Sequence, residues 1–320
     1  MSKTRHPNRG SLQFWPRKRS KHSLARIRTW APESKVKPLG FIGYKAGMTH
    51  LHAVDNRAKS ITKGETIALP ATVIECPPMQ VFGVVFYKPG LLGLEKSSVV
   101  FAGKFDKHLA KTLKLPKKQQ KKFDDIKEFS DLRLLVHSQP ALTGIGSKKP
   151  KVLEIALGGN KDEKLTYAKD ILGKIIPVGD IFSAGIPVDI HGISKGKGFQ
   201  GTVKRYGVPI MQHKAEKLKR GIGNLGAWTP KRVDYRVAQP GKMGYHLRTE
   251  YNKHIIKIGE DGKEVTRIGG LQKYGVVKNT FVLVKGSVAG SKKRALVLTK
   301  AIRSNYKITK DAPEVAFVSI

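Results

Sequence analysis

Residues 66–88 read Thr66-Ile67-Ala68-Leu69-Pro70-Ala71-Thr72-Val73-Ile74-Glu75-Cys76-Pro77-Pro78-Met79-Gln80-Val81-Phe82-Gly83-Val84-Val85-Phe86-Tyr87-Lys88. Two short runs rich in β-branched and aromatic residues, Thr66 to Glu75 and Gln80 to Lys88, flank a pair of prolines, and runs of this kind bounded by Pro or Gly are strands. The same signal recurs at Pro187 to Ile193, Phe281 to Lys285 and Arg294 to Thr299. Strands this short and this numerous suit a small closed antiparallel β-barrel. With Ile256 and Ile258 before Asp261-Gly262 and Val265 and Ile268 after it, His254 to Gly269 is expected to form a hairpin.

Helical signal interrupts the β pattern between about residues 103 and 174. Lys-rich sequence there surrounds Phe105, Leu109, Leu113 and Leu115 ahead of Pro116. A second helix is marked by Asn160 and Glu163 as a capping box, by Leu165, Ala168 and Leu172 at helical spacing, and by Gly173 and Pro177 as a stop. The fold class expected is therefore mainly β: a barrel core at 39–91, 177–214 and 246–320, with an α/β insertion at 92–176. No repeat of 20 to 50 residues is visible, which argues against a solenoid.

Charge separates core from appendage more cleanly than hydropathy. The 320 residues carry 61 Lys and Arg against 24 Asp and Glu, a formal net charge of +37. Residues 1–38 hold 11 basic and 1 acidic residue, and 195–257 hold 15 and 3, so these two short stretches carry 22 of the 37 charges. Neither has the apolar periodicity needed to bury a core of its own. They read as a basic N-terminal arm, 1–38, and a basic finger loop, 215–245, that order on a polyanionic partner.

Composition excludes several classes. Cys76 is the sole cysteine, which rules out a disulfide framework and a Cys-rich zinc site and fits a reducing compartment. No apolar run approaches the roughly 18 residues of a membrane helix, so a soluble protein without membrane contact is expected. The first 30 residues are basic like a targeting segment. They lack the apolar stretch of a secretory leader, and Pro7, Pro16 and Pro32 interrupt the amphipathic helix of a transit peptide.

Gly196-Lys197-Gly198-Phe199-Gln200-Gly201 matches G-x-G-x-x-G, the dinucleotide fingerprint, but Gly207 and Pro209 end any following helix almost at once, and twenty positions past Gly201 stands Gly221 amid basic sequence. As an RNA contact the segment makes better sense. Gly198 and its neighbouring glycines let backbone amides approach phosphate, while Lys195, Lys197, Lys204 and Arg205 neutralise it. A glycine loop with solvated lysines is the bland alternative.

Trp228 sits among Gly221, Gly223, Gly226 and Pro230 with Lys219, Arg220, Lys231 and Arg232 around it. Nothing there places it in a core, so a stacking contact with RNA is favoured over burial. Phe14 and Trp15 beside Arg17, Lys18 and Arg19 repeat the pairing of aromatic and cationic residues and are read the same way, against a nuclear-localisation-like run. The ten histidines show no H-E-x-x-H or Cys-His spacing, and His50 and His52, which could share a strand face, have no third ligand nearby.

The segment Asp189-Ile190-His191-Gly192-Ile193-Ser194-Lys195-Gly196-Lys197-Gly198-Phe199-Gln200-Gly201 with Arg205 resembles the signature of the large-subunit ribosomal protein number three family. Gly223-Asn224-Leu225-Gly226-Ala227-Trp228-Thr229-Pro230-Lys231-Arg232-Val233 is similar to that family's tryptophan-tipped finger, and Gly244-Tyr245-His246-Leu247-Arg248-Thr249-Glu250 follows it. The N-terminal Gly10-Ser11-Leu12-Gln13-Phe14-Trp15-Pro16-Arg17-Lys18-Arg19-Ser20 and the insertion resemble archaeal and eukaryotic members, and the length looks archaeal.

The resemblance implies a translation-protein-type barrel on the outer face of the subunit, with extended arms threading through rRNA toward the peptidyl transferase centre. It implies rRNA contact at the residues named above and at Arg248, near the 3′ end of the large-subunit rRNA, and a part in nucleating subunit assembly. The partners it implies are large-subunit rRNA and neighbouring ribosomal proteins in the cytoplasmic ribosome, with no cofactor, no catalysis and no homo-oligomer. An RNA-modifying enzyme would instead show a cofactor pocket, and an architectural DNA binder would hold duplex DNA as well as RNA.

Overall fold

The computed structural model describes residues 9–116, 121–126, 128–229, 231–305, 309 and 311–320. The chain divides into two compact units. One comprises Ser23–Gly192 with Arg248–Ile320, the other Met1–His22, of which 9–22 are described, with Ile193–Leu247. In chain order the elements are β1 (Gly40–Val54), β2 (Thr66–Glu75), β3 (Met79–Gly90), β4 (Gly93–Phe101), β5 (Asp131–His137), β6 (Val152–Ala156), α1 (Lys161–Ile171) and β7 (Ile175–Ile176). They continue with β8 (Pro187–Ile193), β9 (Phe199–Gln200), α2 (Thr202–Tyr206), β10 (Gly241–Lys242), β11 (Leu247–Gly259), β12 (Phe281–Lys285), β13 (Ala295–Lys300) and β14 (Val315–Val318).

In the larger unit the strand order β13-β8-β11-β12-β2-β1 returns on itself, because β1 also pairs with β13. One long strand makes the closure. Gly40–Tyr44 of β1 pairs antiparallel with 295–299, and Tyr44–Val54 pairs antiparallel with β2, with a bulge between Lys45 and Gly47 where the partner changes. A bulge bends and twists its strand, which is how one strand serves two neighbours. The far end of β1 also receives β14. A second sheet has the order β4-β3-β5-β6, with β7 on β3. Thus β3, read from sequence as part of the barrel core, pairs within this second sheet.

Side chains sort into two clusters by the period of two that strands impose. Val282 and Val284 of β12 join the cluster containing Phe41, Ile74 and Phe86, while Phe281 and Leu283 join the one containing Leu51, Val73 and Tyr274. Burying each such side chain contributes about 1.5 to 3 kcal/mol. Helix α1 begins as its sequence requires, with the Asn160 amide donating to Glu163 Oε2 at 3.1 Å. It buries Ala168, packs Leu165 against the first cluster, and is followed by Gly173 at φ +83°.

Three expectations are corrected. The hairpin over His254 to Gly269 does not form. Asp261 instead accepts from the Lys263 amide at 2.9 Å and starts a 3-10 turn, Gly262–Val265, and β11 takes β12 as its partner. The helical signal at 103–115 yields a single 3-10 turn, Leu109–Lys111, whose Leu109 alone of the turn is buried. Finally, part of the segment read as an arm is core: Ala25 and Ile27 are buried in the first cluster, Trp30 packs on it, and Ala31 is buried as well. Four apolar residues spread through a basic stretch are too few to fold alone but enough to dock on a core already formed.

The smaller unit has little regular structure. β9 pairs with β10, α2 ends at Gly207 in the left-handed region, and a small cluster of Tyr206, Val208 and Ala238 receives Trp15 and Ile222.

Candidate nucleic-acid interface

The glycine-rich loop is held open by its neighbours. The Lys197 amide donates to Met243 O at 3.0 Å, the Met243 amide donates to Gly198 O at 2.8 Å, and the Ser194 amide donates to His246 O at 2.8 Å. Gly198 has φ +68°, the left-handed region that side chains resist. Gly244 lies so close that a Cβ would meet Lys195 O at 2.1 Å. This backbone clasp leaves Lys195 and Lys197 exposed, with Lys204 exposed on α2. A five-residue helix ended by Gly207 is too short for a dinucleotide fold, in which the glycine loop opens a helix packed on a parallel sheet.

Arg205 behaves differently from its lysine neighbours. Its Nη1 donates to Gln239 O at 2.8 Å, and its guanidinium lies 5.1 Å from the Tyr206 ring centroid. Arg17 lies 4.2 Å from the centroid of the same ring and donates from Nη1 to Arg205 O at 3.1 Å. Trp15 stacks on Tyr206 at 6.0 Å and meets Tyr235 edge-on at 5.9 Å. The N-terminal segment and the loop after β8 are thus joined through Tyr206. Lys18 and Arg19 remain exposed, Arg19 lying 5.3 Å from the Tyr245 ring centroid. His246 is buried and its Nδ1 is 2.8 Å from Lys18 O.

The finger shows the opposite pattern. Lys219, Arg220, Lys231 and Arg232 are exposed, and Trp228 is 84% exposed. Its path is set by local bonds: Met211 N to Lys219 O at 2.9 Å, Gly226 N to Asn224 Oδ1 at 2.8 Å and Lys231 N to Trp228 O at 2.9 Å, with Gly223 and Gly226 at positive φ. Pro230 lies outside the described residues. Asp234, one of two acidic residues within 215–245, is held low, to about 2, by a two-point hydrogen bond from Arg236 at 3.0 and 2.8 Å. Such pairing cancels the repulsion a free carboxylate would exert on phosphate.

Arg248 lies half-buried on β11 in the larger unit. His50 and His52 lie 6.5 Å apart with His52 against Phe317, and among the described residues no group of three or more His, Cys, Asp or Glu could hold a metal. Sequence reasoning missed Tyr206 and Tyr235. Both carry the same aromatic and guanidinium adjacency as Trp15, in Arg205-Tyr206 and Tyr235-Arg236, and that signal could have found them.

In sequence the chain is similar to large ribosomal subunit proteins of several archaea. The Methanocaldococcus jannaschii large ribosomal subunit protein uL3 is 44% identical over 322 residues, covering 98% of this chain and 96% of the relative. That of Archaeoglobus fulgidus is 45% identical over 312 residues, 94% and 93% of the two chains. That of Methanococcus maripaludis strain C5 is 43% identical over 325 residues, 99% and 97%. Residues 1–319 match the family model described as ribosomal protein L3, so the chain belongs to that family.

Proposed function

We propose that the protein is a structural constituent of the large ribosomal subunit that binds large-subunit rRNA through the 195–205 loop, the 219–232 finger and Trp15 to Arg19. The observation that carries this reading is the exposure of Lys195, Lys197, Lys204, Lys219, Arg220, Lys231, Arg232 and Trp228 on chain that has little core of its own. Lysine and arginine on open loops neutralise phosphate, and an exposed indole offers a stacking face. Arg248 is assigned to rRNA contact by the family resemblance alone. Trp15, Arg17 and Arg205 reach RNA from a folded cluster and not from a free arm.

The ring of six strands is read as a closed barrel of the translation-protein type, which anchors the basic segments. By the same resemblance the protein binds near the 3′ end of the large-subunit rRNA and takes part in nucleating assembly, its arms directed toward the peptidyl transferase centre. Its partners are rRNA and neighbouring ribosomal proteins in the cytoplasmic ribosome, and its role is structural. No helix of the described residues is long and apolar enough to cross a membrane.

Co-sedimentation with large subunits, together with competition between folded large-subunit rRNA and duplex DNA, tests the reading. Preference for folded rRNA is expected. Equal binding to duplex DNA would overturn it in favour of an architectural DNA binder.

A further inference from the structure

The smaller unit contains a cavity of about 420 Å³ between the N-terminal segment, α2 and residues 233–239. Its lining is unusual for a basic surface because cations and aromatic rings share one wall. Trp15, Tyr206 and Tyr235 supply rings, and Arg17, Lys18 and Arg205 supply positive charge. The one carboxylate in the lining, Asp234, is already neutralised by Arg236.

Two guanidiniums crowd Tyr206, at 4.2 and 5.1 Å from its centroid, and like charges so placed repel unless an anion lies beside them. The Nε atoms of Arg17 and Arg205 and Trp15 Nε1 are buried without a hydrogen-bond partner. Native proteins rarely leave three such donors unmatched in neighbouring residues, and the three residues that carry them line this cavity.

We propose that this cavity receives one unpaired nucleotide of RNA, its base against the Trp15 and Tyr235 rings and its phosphate beside Arg17 and Arg205. The proposal rests on the rRNA-binding reading above and adds the kind of structure recognised. The volume falls in the range of small-molecule pockets, roughly 300 to 1,000 Å³. Aromatic faces for a base beside guanidiniums for a phosphate are what single-stranded recognition uses, and a paired base has its faces covered by its neighbours in the helix. An acidic peptide would use the guanidiniums but leave the rings idle. Tyr235, 72% exposed, is the most open ring of the lining and meets Trp15 edge-on at 5.9 Å.

The test is fluorescence anisotropy of the full chain with two RNA hairpins of the same stem, one carrying a single unpaired adenosine. The bulged hairpin is expected to bind about tenfold tighter, the scale of one base stacked on an aromatic ring. Tyr235→Ala should bring the ratio to within about twofold and Tyr235→Phe should keep it, since the ring and not the hydroxyl does the stacking. Equal binding of both hairpins by the wild type, or an undiminished ratio in Tyr235→Ala, overturns the pocket while leaving RNA binding intact. Failure to bind either hairpin at low salt overturns RNA binding as well. If a decaglutamate peptide quenches tryptophan emission in a Tyr235-dependent way and the bulged hairpin does not, the occupant is a protein segment and the proposal falls.

Discussion

Trp15 stacks on Tyr206 with ring centroids 6.0 Å apart and planes at 25°. The contact ties the N-terminal segment, read from sequence as a basic arm, to α2, read as part of the barrel core, and the two form one small folded cluster. Trp228, in the same unit, lies 84% exposed. Two tryptophans in similar basic surroundings therefore have different physical roles.

Trp15→Ala should lower the stability of the smaller unit by about 1 to 3 kcal/mol, less than a fully buried aromatic because the residue is only half-buried. Trp228→Ala should leave thermal unfolding unchanged and alter tRNA binding or peptide-bond formation in reconstituted large subunits. Differential scanning calorimetry of both variants separates the two, and a lowered melting temperature for Trp228→Ala would show that the finger tryptophan is structural.

Salt dependence should be steep. If about eight phosphates are neutralised, affinity for rRNA falls by roughly four decades between about 50 and 200 mM salt. Replacing the exposed Lys195, Lys197 and Lys204 together by Ala should reduce the slope by about three units, since each phosphate contact contributes nearly one. Arg205→Ala should change the slope and also loosen the Tyr206 cluster, because its side chain holds Gln239 O. Filter binding across a salt series checks both expectations.

Glu75 is fully buried and accepts from the amides of Lys278 and Asn279 at 2.9 and 3.0 Å, from Asn279 Nδ2 at 2.8 Å and from the Tyr274 hydroxyl. Burial beside this carboxylate pushes the Tyr274 phenol above its usual range, so it stays protonated as a donor. Removing the acceptor strands the two amides and the Tyr274 hydroxyl, while Asn279 Nδ2 keeps Leu142 O at 3.1 Å. Glu75→Ala should cost at least about 3 kcal/mol, with Glu75→Gln less damaging. Urea titration of the two variants gives the comparison, and a loss below about 1 kcal/mol for the alanine would contradict the assignment.

Acid should destabilise the larger unit before it protonates most carboxylates. Burial holds His137, His191 and His254 below the usual histidine range. The folded state then binds fewer protons than the unfolded chain, whose histidines titrate near 6.5, so stability rises with pH across that window and is lost as pH falls below about 6.5. Each histidine contributes a slope of at most about 1.4 kcal/mol per pH unit. His191, which bridges Thr249 Oγ1 and Thr299 Oγ1 at 3.0 Å each, is the one to test. Melting temperature should drop between pH 7.5 and 5.5 in the wild type and drop less in His191→Gln.

The sequence alone determined the elements whose signals are local. Thr66 to Glu75 and Pro187 to Ile193 coincide with β2 and β8, because β-branched runs bounded by Pro or Gly need no distant information. Asn160 and Glu163 marked the start of α1 for the same reason, since a capping box closes within one turn. The charge count located the exposed lysines and Trp228, because a stretch without apolar periodicity has no core to enter. Tertiary structure decided what depended on partners far along the chain. Asp261-Gly262 carries hairpin chemistry, yet β11 pairs with β12, and Asp261 caps a 3-10 turn instead. Trp15 and Trp228 both stand among basic residues, yet stacking on Tyr206 leaves Trp15 half-buried while Trp228 stays open. Strand partners and aromatic contacts are set by which surfaces meet when the whole chain packs, and that choice has no signature in any short window of sequence.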